Sequence, residues 1–295
     1  VTDQFDVIEA GERGRRRWIG LVVVLALLLV PVIGLLASRD PEPPGPGPAT
    51  AAPDPIQSLT RIDSVPNMLH PPASTKAGLE VIQVTFPDGR RAEVRYPPEL
   101  ELSEMGVRPY QGVRIDGQYR PLVAPYSGAI EVTRGGKPIR SFAPNVTLWP
   151  HPPGSGTFGE VLLFEFGPWR MTLEDRQDGL TFEQRAAAAE HLRGKVTKDG
   201  SLVLSGGGNV ELAGPGETER GRPVGPQLWF GGGAVSMVAL VPTPNCAKLA
   251  DRLPVAIIAR GRPTSSVCTG DVLVAVAGPE EFRAKALAGI RITLK

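Results

Sequence analysis

Leu79-Glu-Val-Ile-Gln-Val-Thr-Phe86, Pro87-Asp88-Gly89-Arg90 and Arg91-Ala-Glu-Val-Arg-Tyr96 form the stretch on which the reading of the fold turns. On both arms apolar residues alternate with polar ones, the two-residue period that sends one set of side chains to a core and the other to solvent. Between the arms the proline presets φ and the glycine accepts a positive φ. The stretch therefore reads as a β-hairpin. Further hairpins are expected around Asp116-Gly117 and Gly135-Gly136, and a strand over Val146 to Trp149. Residues 59–150 are accordingly read as a β-rich region.

Beyond residue 150 the pattern mixes types. Glu160 to Phe166 and Trp169 to Leu173 read as strands, and Thr181-Phe-Glu-Gln184 has the form of a capping box that starts a helix running from Phe182 to Arg193. Gly194 stands where a left-handed residue would close that helix. On this helix His191 lies half a turn from Phe182 and is expected to face solvent, with Phe182 on the apolar side. A turn at Lys198-Asp199-Gly200 leads to strands over Leu202 to Ser205, Gln227 to Phe230 and Ala234 to Val241. The chain ends strand, helix, strand: Val272 to Ala277, Pro279 to about Ala288, then Ile290 to Leu294. Proline at the first helical position and Gly289 just past the end follow the usual asymmetry. Residues 151–295 thus read as an α+β region, and the whole as an α+β fold with a mostly antiparallel sheet. Gly 35 and Pro 31 make up more than a fifth of the 295 residues, against about 12% in an average protein, in keeping with many turns and short strands.

The N-terminal part has a different character. Ile19 to Ala37 is nineteen residues without a charge, directly behind Arg13, Arg15, Arg16 and Arg17. As an α-helix it would span roughly 28 Å, close to the hydrocarbon thickness of a bilayer. The run exceeds the length of a signal-peptide core, and its exit lacks small residues at both positions that a signal peptidase requires. It is therefore read as an uncleaved transmembrane signal-anchor rather than a cleaved leader. Arg15-Arg16 lacks the rest of a twin-arginine motif. The excess of arginine before the span places residues 1–18 in the cytoplasm as a short tail and the chain beyond 37 outside. Residues 38–58, with Ser38 to Pro55 carrying seven prolines, read as a linker. In a polyproline-II regime those eighteen residues reach about 55 Å. The lipid bilayer is thus the expected partner of residues 19–37.

The two cysteines, Cys246 and Cys268, both follow the span. An even count in an oxidising compartment reads as a disulfide, and closing a loop of about 23 residues would stabilise the fold by about 3 kcal/mol in the chain-entropy model. A formal charge of +1 with scattered basic residues gives no field for nucleic acid. The abundance of Ala, Arg, Gly, Pro and Val reads as the codon bias of a GC-rich bacterial genome.

Motifs for chemistry are few. Gly154-Ser155-Gly156-Thr157-Phe158-Gly159-Glu160-Val161 matches the kinase glycine-rich pattern by letter, but no V-A-I-K strand, H-R-D or D-F-G accompanies it. It also opens a strand, not the helix that a dinucleotide site needs. Three histidines, His70, His151 and His191, offer little for a metal, and no H-E-x-x-H or C-x-x-C occurs. The adjacent acids Glu174-Asp175 and Glu280-Glu281 read as a solvated face or a helix N-terminus rather than a glycosidase pair. Gly206-Gly207-Gly208 and Gly231-Gly232-Gly233 read as turns or bulges. No catalytic residue, cofactor or metal is expected. The reading is a single-pass bacterial membrane protein with an extracytoplasmic domain that binds or senses an envelope protein or wall polymer. The alternatives are a tethered envelope hydrolase and a structural accessory of a membrane complex.

Overall fold

The computed structural model describes residues 67–150, 159–175, 179–232, 236–259 and 261–295. The Ile19–Ala37 span, the juxtamembrane arginines and the linker lie outside the described residues, which all belong to the unit Ile62–Lys295. Among them no helix is long and apolar enough to cross a membrane.

The 79–96 hairpin forms as expected, and its neighbours follow in order: β1 (Ser74–Lys76), β2 (Leu79–Thr85), β3 (Arg91–Tyr96), β4 (Val107–Ile115), β5 (Gln118–Val123), β6 (Arg140–Ala143), β7 (Val146–Pro150), β8 (Glu160–Phe166) and β9 (Trp169–Glu174). After helix α1 (Phe182–His191) come β10 (Arg193–Val196), β11 (Leu202–Ser205), β12 (Val210–Leu212), β13 (Thr218–Glu219), β14 (Arg222–Pro223), β15 (Gln227–Gly231), β16 (Met237–Pro242), β17 (Thr264–Thr269) and β18 (Val272–Ala277). Helix α2 (Glu280–Gly289) and β19 (Arg291–Leu294) close the chain. The fold is sheet-rich α+β.

One sheet carries most of the strands, in the order β17-β18-β16-β15-β4-β5-β9-β8-β7-β6, with β12 beside β4. Every pairing in it is antiparallel. Strands on either side of residue 150 pair directly, Pro150 opposite Glu160, so the sheet draws on both the 59–150 and the 151–295 stretches. A second sheet, β1-β2-β3-β19, joins the early hairpin to the C-terminus. The terminal strand-helix-strand is therefore a crossover between sheets: β18 lies in the large one, and β19 pairs Ile292 with Val94 in the small one.

Strand alternation assigns the cores. β16 and β18 are buried on both faces, which is why they read as unbroken apolar runs. On one face Val238, Leu240, Val274 and Val276 meet Ile82, Val94 and Tyr96 of the small sheet and Ala286 of α2. Farther along the same face, Leu122, Phe164 and Met171 are covered by Ala188 of α1 and by Leu202 and Leu204 of the β10–β11 hairpin. β4 serves both cores from one side of its pleat, Val107 in the first and Val113 and Ile115 in the second. On the opposite face Tyr110, Trp229 and Ala275 pack with Ile257, and Val132 covers Trp149, Val161 and Leu163.

Several local expectations are corrected. Gly135-Gly136 does not turn a hairpin. Ile130–Thr133 forms a helical turn that plants Val132 against the sheet, and the Gly136 N–H donates to Thr133 O as the chain leaves it. Helix α1 stops at His191 with Leu192 extended, so Gly194 is no helix cap: it lies in β10, where an added Cβ would stand 2.4 Å from the Phe166 ring. Gly289 is likewise the last residue of α2, and a Cβ there would stand 2.3 Å from Pro97. Both glycines allow close approach rather than a left-handed turn. Pro279 is the N-cap of α2, one position earlier than expected. The strand expected from Ala234 begins at Met237 among the described residues. The capping box at Thr181 is formed, with Gln184 N–H donating to Thr181 Oγ1 at 3.2 Å and Thr181 N–H donating to Gln184 Oε1 at 3.0 Å. The face that α1 buries is the small one, Gln184, Ala188 and Ala189. Phe182 is 52% exposed and His191 half-buried, the reverse of the expected orientation, because alanines let the helix lie closer to the sheet than a phenyl ring would.

Candidate functional site

The segment that crosses from β12 to β15 is fastened at its base and open at its tip. Gly112 N–H donates to Val224 O at 2.8 Å, and Gly216 N–H donates to Pro242 O at 3.2 Å. Glu217 holds the base: one carboxylate oxygen accepts from Gly214 N–H at 2.7 Å, and the other pairs with Arg114 at 2.5 Å. Partial burial pushes the Glu217 pKa up, but the Gly214 N–H and the Arg114 guanidinium outweigh it and hold the carboxyl below its ordinary value. From that base β13 and β14 rise as a minimal hairpin, Thr218 opposite Pro223 and Glu219 opposite Arg222. Its two-residue turn is Arg220-Gly221, with φ of 49° and 75°. Both residues are left-handed, as a type I′ turn requires. Glycine and asparagine favour that conformation and arginine does not.

The facing wall is built from the chain between β16 and β17. Cys246 and Cys268 form a disulfide with a Cα–Cα separation of 5.8 Å, tying this segment to β17. Ser266 Oγ donates to Ala250 O at 2.7 Å, a second tie to the same strand. A helical turn, Val255–Ile258, follows. It is anchored by Ile257, which is fully buried against the sheet, and it leaves Val255 and Ile258 exposed on its outer side. Asp251 and Arg252 sit on the stretch between the disulfide and this anchor.

Between the two walls lies a cleft of about 330 Å³, lined by Arg220, Arg222, Asp251, Arg252, Ile258 and Thr264, within the usual range of small-molecule sites. The Arg252 guanidinium rests against the hairpin turn, with Nη1 3.3 Å from where a Cβ on Gly221 would stand. Three guanidinium groups thus face one carboxylate, and none of Arg220, Arg222 or Arg252 forms an ion pair among the described residues. The chemistry on offer is charge and directed N–H donation, above an aliphatic patch, rather than proton transfer or nucleophilic attack. A smaller apolar gap of about 10 Å³ lies where the two cores meet, lined by Leu69, Val107, Trp169 and Leu228. It has room for about one water.

The residues singled out from sequence are scattered. Cys246 and Cys268 come together. Asp175 is a structural group: it pairs with Arg185 of α1 and accepts Leu180 N–H at 3.0 Å, while Arg185 also pairs with Glu160 at 2.5 Å. Glu280 and Glu281 occupy the first turn of α2. His70 is exposed, with Nδ1 3.0 Å from Ser103 O, and His151 and Gly154 to Phe158 lie outside the described residues. Gly206-Gly207-Gly208 turns the chain between β11 and β12, with Val210 N–H donating to Gly207 O. No group of three metal-ligating side chains occurs among the described residues.

The cleft arginines escaped the sequence reading. Arg220-Gly221-Arg222 carries a turn signal in its glycine, but Arg252 is thirty residues away and nothing in the spacing joins it to them. In comparisons with known proteins, no family model, curated protein or solved structure matches the chain.

Proposed function

We propose that the chain is a single-pass bacterial membrane protein, anchored by Ile19–Ala37, whose C-terminal domain stands outside the membrane and binds a component of the cell envelope, a protein or a wall polymer. The observation that carries this reading is the Cys246–Cys268 disulfide. It lies in the part that the arginines before the span assign to the outside, where thiols are oxidised. The disulfide supports one wall of an open cationic cleft, and a cleft of this kind is a binding surface. Arg13, Arg15, Arg16 and Arg17 keep the tail inside, and the proline-rich linker sets the domain's reach.

Topology is tested in spheroplasts. After mild reduction, a membrane-impermeant maleimide is expected to label Cys268, the half-buried partner of the pair, without lysis. Labelling only after lysis would remove the reading.

A further inference from the structure

We infer that the cleft between the Arg220-Gly221 turn and the Asp251–Leu253 segment is a binding site for a phosphoryl group, the anion of a polyol-phosphate polymer or of a lipid headgroup. The ligand class rests on the envelope-facing reading above, and the site itself on geometry alone. Three arginines converge on one concavity of about 330 Å³ with Asp251 as the sole opposing charge among the described residues of its lining. Like charges brought together cost free energy unless an anion joins them, and guanidinium groups match phosphate oxygens with paired N–H donors.

The placement of these arginines is not a by-product of ion pairing. Elsewhere in the domain Arg90, Arg95, Arg114, Arg170 and Arg185 each lie against a carboxylate. Arg140, Arg193, Arg283 and Arg291 lie instead against a ring, a carbonyl or a hydroxyl, whereas among the described residues the cleft arginines form no ion pair, although Glu219 lies one residue from Arg220 and Asp251 one residue from Arg252. Arg220 also occupies a left-handed turn position where asparagine or glycine would be favoured by about 1 kcal/mol. A side chain kept at a backbone cost is better explained by what it reaches than by what it does for the turn. The supports on either side are rigid: Glu217 pins the hairpin base, and the disulfide and Ile257 pin the facing wall. The two walls therefore fix the backbone positions from which the three arginines project before any ligand arrives, which reduces the ordering cost of binding. Ile258, 37% exposed at the rim, gives the ligand's uncharged portion an aliphatic surface. A single small anion such as sulfate would leave that surface unused.

The test uses the full chain held in phosphatidylcholine nanodiscs, with pyrophosphate as the soluble probe in isothermal titration. Saturable binding is expected, weakening at least fivefold from 20 to 300 mM NaCl as screening shortens the reach of the charges. R220A/R222A/R252A is expected to lose at least tenfold in affinity, while R95A, which removes an arginine paired on the small sheet, leaves it unchanged. An unaltered thermal midpoint shows that the triple variant is folded. Co-flotation of the nanodiscs with phosphatidylglycerol but not phosphatidylcholine vesicles, lost in R220A/R222A/R252A although Arg13, Arg15, Arg16 and Arg17 remain, assigns the phosphoryl group to a lipid. Pyrophosphate binding without co-flotation assigns it to a soluble or polymeric source. Absence of pyrophosphate binding at 20 mM NaCl, or equal binding by the triple variant, overturns the proposal. Failure of the topology experiment with the titration intact would instead leave the site standing and move it to another compartment.

Discussion

Arginine does opposite work in two regions of this domain. Beside β8 and β9, Arg185 reaches from α1 to Asp175 and Glu160. Its side chain is 17% exposed and that of Asp175 4%. Charge there is neutralised, withdrawn from solvent and used to lash a helix to a sheet. In the cleft beside β17, Arg220, Arg222 and Arg252 are exposed and gathered around a concavity without carboxylate partners among the described residues. The first arrangement is a strut, whose removal should be felt in folding. The second adds little to stability, and its removal should be felt in binding. The physical divide is desolvation. A buried charge must be paired or the fold pays several kcal/mol, whereas an exposed one can wait for its partner.

Breaking the strut tests one side of this contrast. D175A leaves Arg185 with Glu160 alone and Leu180 N–H without its acceptor, and urea unfolding of the full chain in neutral micelles is expected to show a loss of about 3 to 5 kcal/mol. Pyrophosphate affinity should not change. The disulfide belongs to both sides. C246S/C268S is expected to cost about 3 kcal/mol by the same measurement and, because it frees the wall that carries Arg252, to weaken pyrophosphate binding severalfold. T181A removes the hydroxyl half of the capping box and should cost about 1 kcal/mol, again without effect at the cleft.

The smallest effect concerns acid. Glu217 titrates below its ordinary value of 4.5 in the fold, so it contributes stability that is present above about pH 4.5 and lost as pH falls through its lower folded pKa. Acid titration of the wild type against E217Q should show this part of the acid limb flattened in the variant. Loss of the hairpin pin should also weaken pyrophosphate binding near pH 7. An unchanged affinity in E217Q would show that the hairpin holds its tip without the pin.

What could be read from the sequence was what lies within a few residues. The 79–96 hairpin, the capping box at Thr181 and the Asp116-Gly117 turn each carry their cause in adjacent side chains, and each forms. The cysteines were legible because two make only one pair. Glycine misled, because the same residue serves a left-handed cap and a close backbone approach. At Gly194 and Gly289 it is the Phe166 ring and Pro97, distant in sequence, that decide between them. Sheet assignment was equally hidden. Nothing local in Ile290 to Leu294 tells it to leave the sheet of β18 and pair with β3 nearly two hundred residues earlier. The cleft combines both difficulties, since its arginines come from two segments thirty residues apart that only the tertiary fold brings together.

The contrast between strut and cleft comes to one comparison of thermal midpoints in the full chain, with and without 10 mM pyrophosphate. A ligand that binds only the native state raises the midpoint. The wild type and D175A are expected to rise by the same increment from different starting points. R220A/R222A/R252A should start at the wild-type midpoint and not move. A triple variant that starts several degrees lower, or that rises as much as the wild type, would contradict the assignment of these arginines to binding rather than to the fold.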